Sequence, residues 1–446
     1  MKRDMTTGPV FSTLITFTVP LILGNLLQLM YNAADSVIAG NEIGSAALAA
    51  IGAAAPVMNL VVLFISGMCL GTGILVSVEY GSGDSARMER QLSTILLTGA
   101  AFSLAVSAVM IPLAGPVIRL TQVEESVLPL ARQYLQVIFV GLIFTFLYNF
   151  LSSALRALGD SRTPLIFLAV SSVVNVLGDL LLVKALKMGV LGSALATVFS
   201  QALSVLLCVL YIKRRIPALC LGKKWLRFDR TLLRSTLGYG FTSAMQQACL
   251  QMGKLIIQSQ VNAMGVAAAA AFNVVNRVDD FAYTPEQNIA HAMSTFLAQN
   301  RGAGKQARVK EGFQKGMILE FSYAAILGLL FFLCAEPIVS LFVGREDALR
   351  GEVVEMAVRY VLLISPMYLL PALTNGLQGW FRGMGEMKIT LLSTFMNMLG
   401  RVLAVVFFAS QGYPLSSFAW ANLIGWILMI AVELPILLKH RHKQEG

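Results

Sequence analysis

Apolar residues run through this 446-residue chain in long blocks separated by short polar and charged stretches. A helix rises 1.5 Å per residue, so about 20 apolar residues cross the ~30 Å hydrocarbon core of a bilayer. Blocks of that length fall at 13–38, 47–78, 92–116, 128–156, 163–186, 190–212, 232–262, 267–298, 312–335, 354–380, 388–409 and 415–438. The pattern predicts twelve transmembrane helices, the second, seventh and eighth long enough to tilt or kink. A transmembrane β-barrel is excluded, because its strands are segments of about ten residues with alternating polarity, whereas these blocks are continuously apolar. The expected fold class is all-α integral membrane.

Composition agrees with that pattern. Hydrophobic residues make up 57% of the chain and charged residues 13%, about half the ~25% charged content of a soluble domain. No polar stretch is long enough to form a water-soluble domain. The net charge of +10 would suit a nucleic-acid partner, but its distribution points elsewhere. With a cytoplasmic N-terminus, 24 Lys and Arg fall in the termini and inner loops, 7 in outer loops, and Lys254, Arg277 and Arg401 within spans. Positive charge gathered on the cytoplasmic side sets topology. The expectation is a multi-pass plasma-membrane protein with both termini cytoplasmic, the bilayer as partner and no nucleic acid bound.

The short basic start, Met1–Gly8, resembles the head of a signal peptide. The apolar run behind it is too long and lacks a small-residue cleavage site, so it reads as an uncleaved first span. The cysteines Cys69, Cys208, Cys220, Cys249 and Cys334 have no metal-ligand spacing and read as small apolar filler.

The chain also repeats itself. Gly44 and Gly265, Gly81 and Gly302, Gly83 and Gly304, Arg87 and Arg308, and Pro116 and Pro337 are each separated by 221 residues. Arg156 and Gly159 match Arg382 and Gly385 at 226, and Asn175 and Gly178 match Asn397 and Gly400 at 222. Six spans per half is an even number, so both halves enter the membrane in the same orientation, as in parallel-repeat transporters. The expected lobes are 1–222, with spans 1–6, and 223–446, with spans 7–12, two six-helix bundles around a central cleft. The basic join, Lys213 to Arg234, carries Trp225, Leu226 and Phe228 and reads as an amphipathic stretch lying on the headgroups. Two lobes that rock around a cleft suit a carrier better than a channel.

Charges inside apolar helices are costly and mark sites. Asp35 lies near the outer end of span 1, about 5 Å deep, and Asp179 in span 5 about 10 Å deep. Asn175 precedes Asp179 by four residues and shares its helix face. Tyr134 of span 4 and Thr197 of span 6 reach similar depth. Such an oxygen-rich set can coordinate Na⁺, at Asp35, Asn175, Asp179 and Thr197, or hold a proton. Separate hydrogen bonding of the two acids is the alternative.

At these residues the chain resembles the multidrug and toxic compound extrusion (MATE) transporters over essentially its full length. The matching stretches are Pro20–Asn25, Asp35–Gly40, Gly44–Ala50, Arg156–Asp160 and Gln299–Gly304. The resemblance implies a twelve-helix antiporter that exports small amphipathic, mostly cationic compounds against H⁺ or Na⁺, with no cofactor and as a monomer. The family's cation-site positions match Asp35, Tyr134, Asn175, Asp179 and Thr197. NorM-like members carry a glutamate in the seventh helix, where this chain has Leu250. That departure places the chain in a DinF-like or other bacterial branch.

The second half cannot copy the first half's cation site. Asp179 corresponds to Arg401 and Asp35 to Ile256, so coupling-ion binding is expected in the first half alone. Asp279 and Asp280 lie near the midplane of span 8, with Glu286 and His291 further along. They can form a substrate site with Gln246, Gln247, Met252 and Phe281, since Met and aromatic side chains adapt to varied ligands. They can equally form structural ion pairs with Lys254, Arg277 and Arg401. The rival function is a flippase for lipid-linked oligosaccharides, which needs a basic cavity. The first half, with Asp35 and Asp179 and no buried Lys or Arg foreseen, disfavours it, while Lys254, Arg277 and Arg401 in the second half keep it open. An enzyme is not expected, because the spans hold no His-x-x-x-His, Cys–His or paired-Ser motif.

Overall fold

The computed structural model describes residues 4–119, 124–216, 219, 227–344 and 349–445. Among these residues there are helices and no strands, and each predicted span falls on one helix or on two in series. Two compact units form, one built mainly from Ile15–Ala244 and the other mainly from Met245–Gly446. The lobe division expected at 222/223 and the headgroup-binding residues Trp225 and Leu226 lie outside the described residues.

The first unit holds α1 (Val10–Glu42) from Ile15 onward, α2 (Ser45–Ser82), α3 (Ser85–Arg119), α4 (Leu128–Val140), α5 (Leu142–Ala157), α6 (Arg162–Asp179) and α7 (Gly189–Arg215). It also takes the first half of α8 (Arg230–Ala263). The second unit has the rest of α8, then α9 (Val266–Gly302), α10 (Gln306–Leu333), α11 (Ala335–Ser340) and α12 (Arg350–Ile364). It ends with α13 (Leu369–Met384), α14 (Met387–Ser410) and α15 (Phe418–Glu445).

Among the described residues nine helical segments are long and apolar enough to cross a membrane, and α4 with α5, bent by 46°, makes a tenth. The bend falls at Gly141, where a Cβ would collide with Val198 of α7. Helices α8 and α9 have 34 and 37 residues and are long enough. Their glutamines, asparagines and charges keep them below that apolarity.

Polarity is inverted relative to a soluble protein. On α14, Ser393, Thr394 and Asn397 are buried while Leu392, Phe395, Leu403 and Phe407 are exposed. In hydrocarbon the polar atoms must be satisfied by neighbouring helices and the apolar side chains meet lipid. Each unit then packs its own core, around Phe139, Phe146 and Leu92 in the first and Tyr360, Tyr368 and Phe418 in the second.

The repeat is visible in the backbone. Gly44 and Gly265 have φ of 107° and 108°, Gly83 and Gly304 have 75° and 70°, and Gly159 and Gly385 have 88° and 84°. Positive φ strains residues with a Cβ, so each pair marks the same turn built twice.

Candidate functional site

Helix α6 ends at Asp179 and continues as a π-helical turn, Leu180–Ala185. Gly192 of α7 lies so close to Leu182 that a Cβ would sit 3.0 Å from its carbonyl carbon, and Gly178 faces Ala196. These small residues bring α6 and α7 together. Asn175 Nδ2 donates to Thr197 Oγ1 at 3.5 Å, Thr197 Oγ1 donates to the Ser193 carbonyl at 3.1 Å, and Ser193 Oγ donates to Asp35 Oδ1 at 3.1 Å. Asp35 and Asp179 lie within electrostatic reach of one another, and Tyr31 and Tyr134 within reach of both. All five residues singled out in the first half therefore meet in one cluster of the first unit.

Three acceptor atoms of the cluster are nevertheless left without a donor. Asn175 and Asp179 are completely buried, and Asn175 Oδ1 and both Asp179 carboxyl oxygens have no donor. A buried acceptor without a partner costs free energy comparable to a lost hydrogen bond, and a bare charge far more. Two carboxyls that face each other beside an unpartnered amide oxygen are relieved by a shared proton or by a metal cation.

The sequence reading missed Tyr31 and Ser193. Each lies one helical turn before a residue it did select, Asp35 and Thr197, so the i, i+4 rule would have found them. It also placed no basic residue inside the first half. Arg156 corrects this. It belongs to the last turn of α5, half-buried within electrostatic reach of Tyr148, Cys69 and Cys208.

In the second unit a cavity of about 510 Å³ is lined by Gln247, Asp279 and Asp280 among others, a volume suited to a drug-sized ligand. Gln246 sits behind the wall. Its Nε2 donates to Gln378 Oε1 and Thr394 Oγ1, both at 2.9 Å, and its Oε1 accepts from Arg382 Nη2 at 3.2 Å. Met252 and Phe281 stand outside the lining, about half exposed, at 59% and 49%. Leu250 faces the cavity.

The ion-pair network considered for Asp279 and Asp280 is not formed among the described residues. Instead Tyr368 Oη donates to Asp279 Oδ1 at 2.6 Å. Tyr368→Phe should therefore strip a buried carboxyl of its donor and destabilise the protein by about 1–3 kcal/mol. The check is thermal unfolding of the purified protein, with Asp279→Asn in the same background cancelling most of the loss.

Three more acids are buried in this unit, Glu286, Glu320 and Glu433. Asn375 Nδ2 donates to Glu286 at 3.3 Å and Ser393 Oγ to Glu433 at 2.7 Å, whereas both oxygens of Glu320 lack a partner. Glu320 and Glu433 carried the signal that singled out Asp35, a lone acid inside an apolar block.

A family model described as MatE matches residues 20–181 and 243–407. The chain is 30% identical over 400 residues to the probable multidrug resistance protein YpnP of Bacillus subtilis (strain 168), covering 88% of this chain and 87% of that one. Among solved structures it is similar to a MATE protein in the bent conformation, with TM-score 0.91, 18% identity and coverage of 99% and 98%. It is also similar to a MOP superfamily transporter from Pyrococcus furiosus, described as having a binding pocket of reverse polarity, with TM-score 0.88, 19% identity and coverage of 98% and 97%. At these identities the structural likenesses establish the fold.

Proposed function

The chain belongs to the MatE family, and from that premise we propose that it is a secondary multidrug exporter of the plasma membrane. It moves amphipathic, mostly cationic compounds outward by alternating access, as a monomer with both termini cytoplasmic, and draws on an inward gradient of H⁺ or Na⁺. The observation that carries this reading is the pair of facing acids in the first unit, Asp35 and Asp179, where Asn175 Oδ1 and both Asp179 oxygens accept no hydrogen bond from the protein.

A cation can drive a conformational change only if it binds one conformation more tightly than the other. Three features of the first unit support such a difference. Its acids come from separate helices, α1 and α6. Asp35 is tied to α7 through Ser193. The end of α1 is tied to the turn after Asp179 by the Glu42–Lys184 ion pair at 2.7 Å. A proton or Na⁺ shared by the two carboxyls draws α1 toward α6, and its release lets them part. Residues Asp35, Asn175, Asp179 and Thr197 would hold Na⁺; a proton needs only the two acids. No cofactor takes part.

The test is transport of a fluorescent cation by proteoliposomes, with the pH and Na⁺ gradients imposed separately. One gradient alone is expected to drive dye movement, which identifies the coupling ion. Asp35→Asn is expected to stop driven movement in protein that remains monodisperse. Wild-type rates in that variant would remove Asp35 from the coupling site.

A further inference from the structure

The repeat places a site in the second unit opposite in sign to the cluster of the first. Asn397 and Arg401 correspond to Asn175 and Asp179 at the same offset of 222 residues, again four apart on one helix face. Tyr360 corresponds to Tyr134 at 226, the offset that also relates Arg382 to Arg156. In the first unit Tyr134 lies within electrostatic reach of Asp179; in the second, Tyr360 lies within reach of Arg401. The frame of asparagine and tyrosine is kept, while the central acid has become a guanidinium and the second acid, Asp35, has become Ile256.

The cavity of the second unit is built on this frame. Asn397 and Arg401 line it, together with Lys254, Arg382, Asp279 and Asp280. Lys254 and Arg401 each stand nine residues before the end of their helix, α8 and α14, or about 14 Å along its axis. Cations that deep in a span are costly unless paired or in use.

Arg382 is occupied. Its Nη2 donates to Gln246 and Gln378, at 3.2 and 2.8 Å, and it lies within electrostatic reach of Glu433. Neither Lys254 nor Arg401 makes an ion pair among the described residues, although both lie within electrostatic reach of Asp279, and Lys254 also within reach of Asp280. Asp279 already accepts from Tyr368, and Asp280 is exposed. The apolar part of the wall includes Phe272 and Trp426.

We propose that this cavity binds a zwitterionic amphiphile, its carboxylate or phosphate held by Arg401 with Lys254, its cationic group beside Asp280, and its apolar body against Phe272 and Trp426. Guanidinium pairs with carboxylate and phosphate through two parallel hydrogen bonds, which gives Arg401 the geometry for this role. The inference rests on the export reading only in taking the second unit to handle substrate. It narrows that substrate from a simple cation to one that also carries an acidic group.

Two rhodamines test it directly. Rhodamine 6G is an ester and a pure cation; rhodamine 19 is the same dye with a free carboxylate. Binding to purified protein in nanodiscs is read by fluorescence polarisation, with no gradient present. The wild type is expected to bind rhodamine 19 about tenfold more tightly, the equivalent of one added charge-assisted contact. Arg401→Gln should erase that preference by weakening rhodamine 19 alone, Lys254→Gln should reduce it, and Arg401→Lys should restore part of it. Arg277→Gln serves as control for the preference: Arg277 lies outside the lining but within electrostatic reach of Asp280, so its loss should shift both dyes alike and leave their ratio unchanged.

Displacement of rhodamine 19 by lysophosphatidylethanolamine, which carries both a phosphate and an ammonium group, in the same nanodiscs would name a lipid headgroup as the source of the acidic group. No displacement would leave a free amphiphile. The proposal is overturned if the wild type does not prefer the acid, or if Arg401→Gln shifts both dyes alike. Asp179→Asn should keep the dye preference while losing driven transport, so this proposal and the export reading can fail separately.

Discussion

Asp179→Asn is expected to reduce cation-driven transport by about 100-fold while the protein remains folded. Losing one partner of a desolvated charge contact costs about 2–5 kcal/mol, and each 1.4 kcal/mol is tenfold. Asparagine preserves the shape of the side chain and adds a donor where Asn175 Oδ1 and both Asp179 oxygens now have none. Thermal stability of the variant should therefore match or exceed that of the wild type, because a buried acid with no donor has been replaced by a neutral amide. The measurement pairs proteoliposome transport with an unfolding curve. Stability retained with transport lost identifies Asp179 as a coupling residue. Full transport would move the coupling site to another buried acid, with Glu320 first because both of its oxygens are unpartnered.

Gly71→Val is expected to prevent accumulation of folded protein, or to cost at least about 3 kcal/mol. At Gly71 of α2 an added Cβ would run into the main-chain carbonyl oxygen of Tyr239 on α8 and would approach Ser243 Oγ to 2.6 Å. One turn earlier, a Cβ on Gly67 would meet the Ala244 Cα and the Ser243 carbonyl at 2.9 Å. Small residues four apart let two membrane helices touch backbone to backbone. A clash with main chain cannot be relieved by changing a rotamer, so the helices must separate and lose their packing. Gly52, on the same helix with open space around it, provides the control. Gly52→Ala should be neutral or stabilising by up to about 1 kcal/mol, since alanine favours the helix. Comparable losses in the two variants would rule out close packing as the cause.

The all-α membrane fold and the repeat were readable because hydrophobic length and residue spacing are linear properties of a chain. A lone acid in an apolar block has a depth that follows from 1.5 Å per residue, which is why Asp35, Asp179, Tyr134, Asn175 and Thr197 could be placed together before any helix was packed. The positive φ values at paired glycines were also implicit, because only glycine adopts them without strain.

What spacing does not supply is the direction a side chain faces. On a membrane helix most faces are apolar, so hydropathy does not separate a side chain that meets lipid from one that meets protein. Hence Met252 and Phe281, chosen for chemistry and depth, proved half exposed, and Gln246 proved to brace the wall behind Gln378 and Thr394. Arg156 and Arg382, near helix ends and so counted as loop charges, turned inward with the last turns of α5 and α13. The sequence alone determined which residues stand at which depth, and that the second half carries Arg401 where the first carries Asp179. Only the packing of helices around their axes decided which of those residues meet. It left Asp179 without a donor, gave Tyr368 to Asp279, and turned Lys254 and Arg401 toward one cavity.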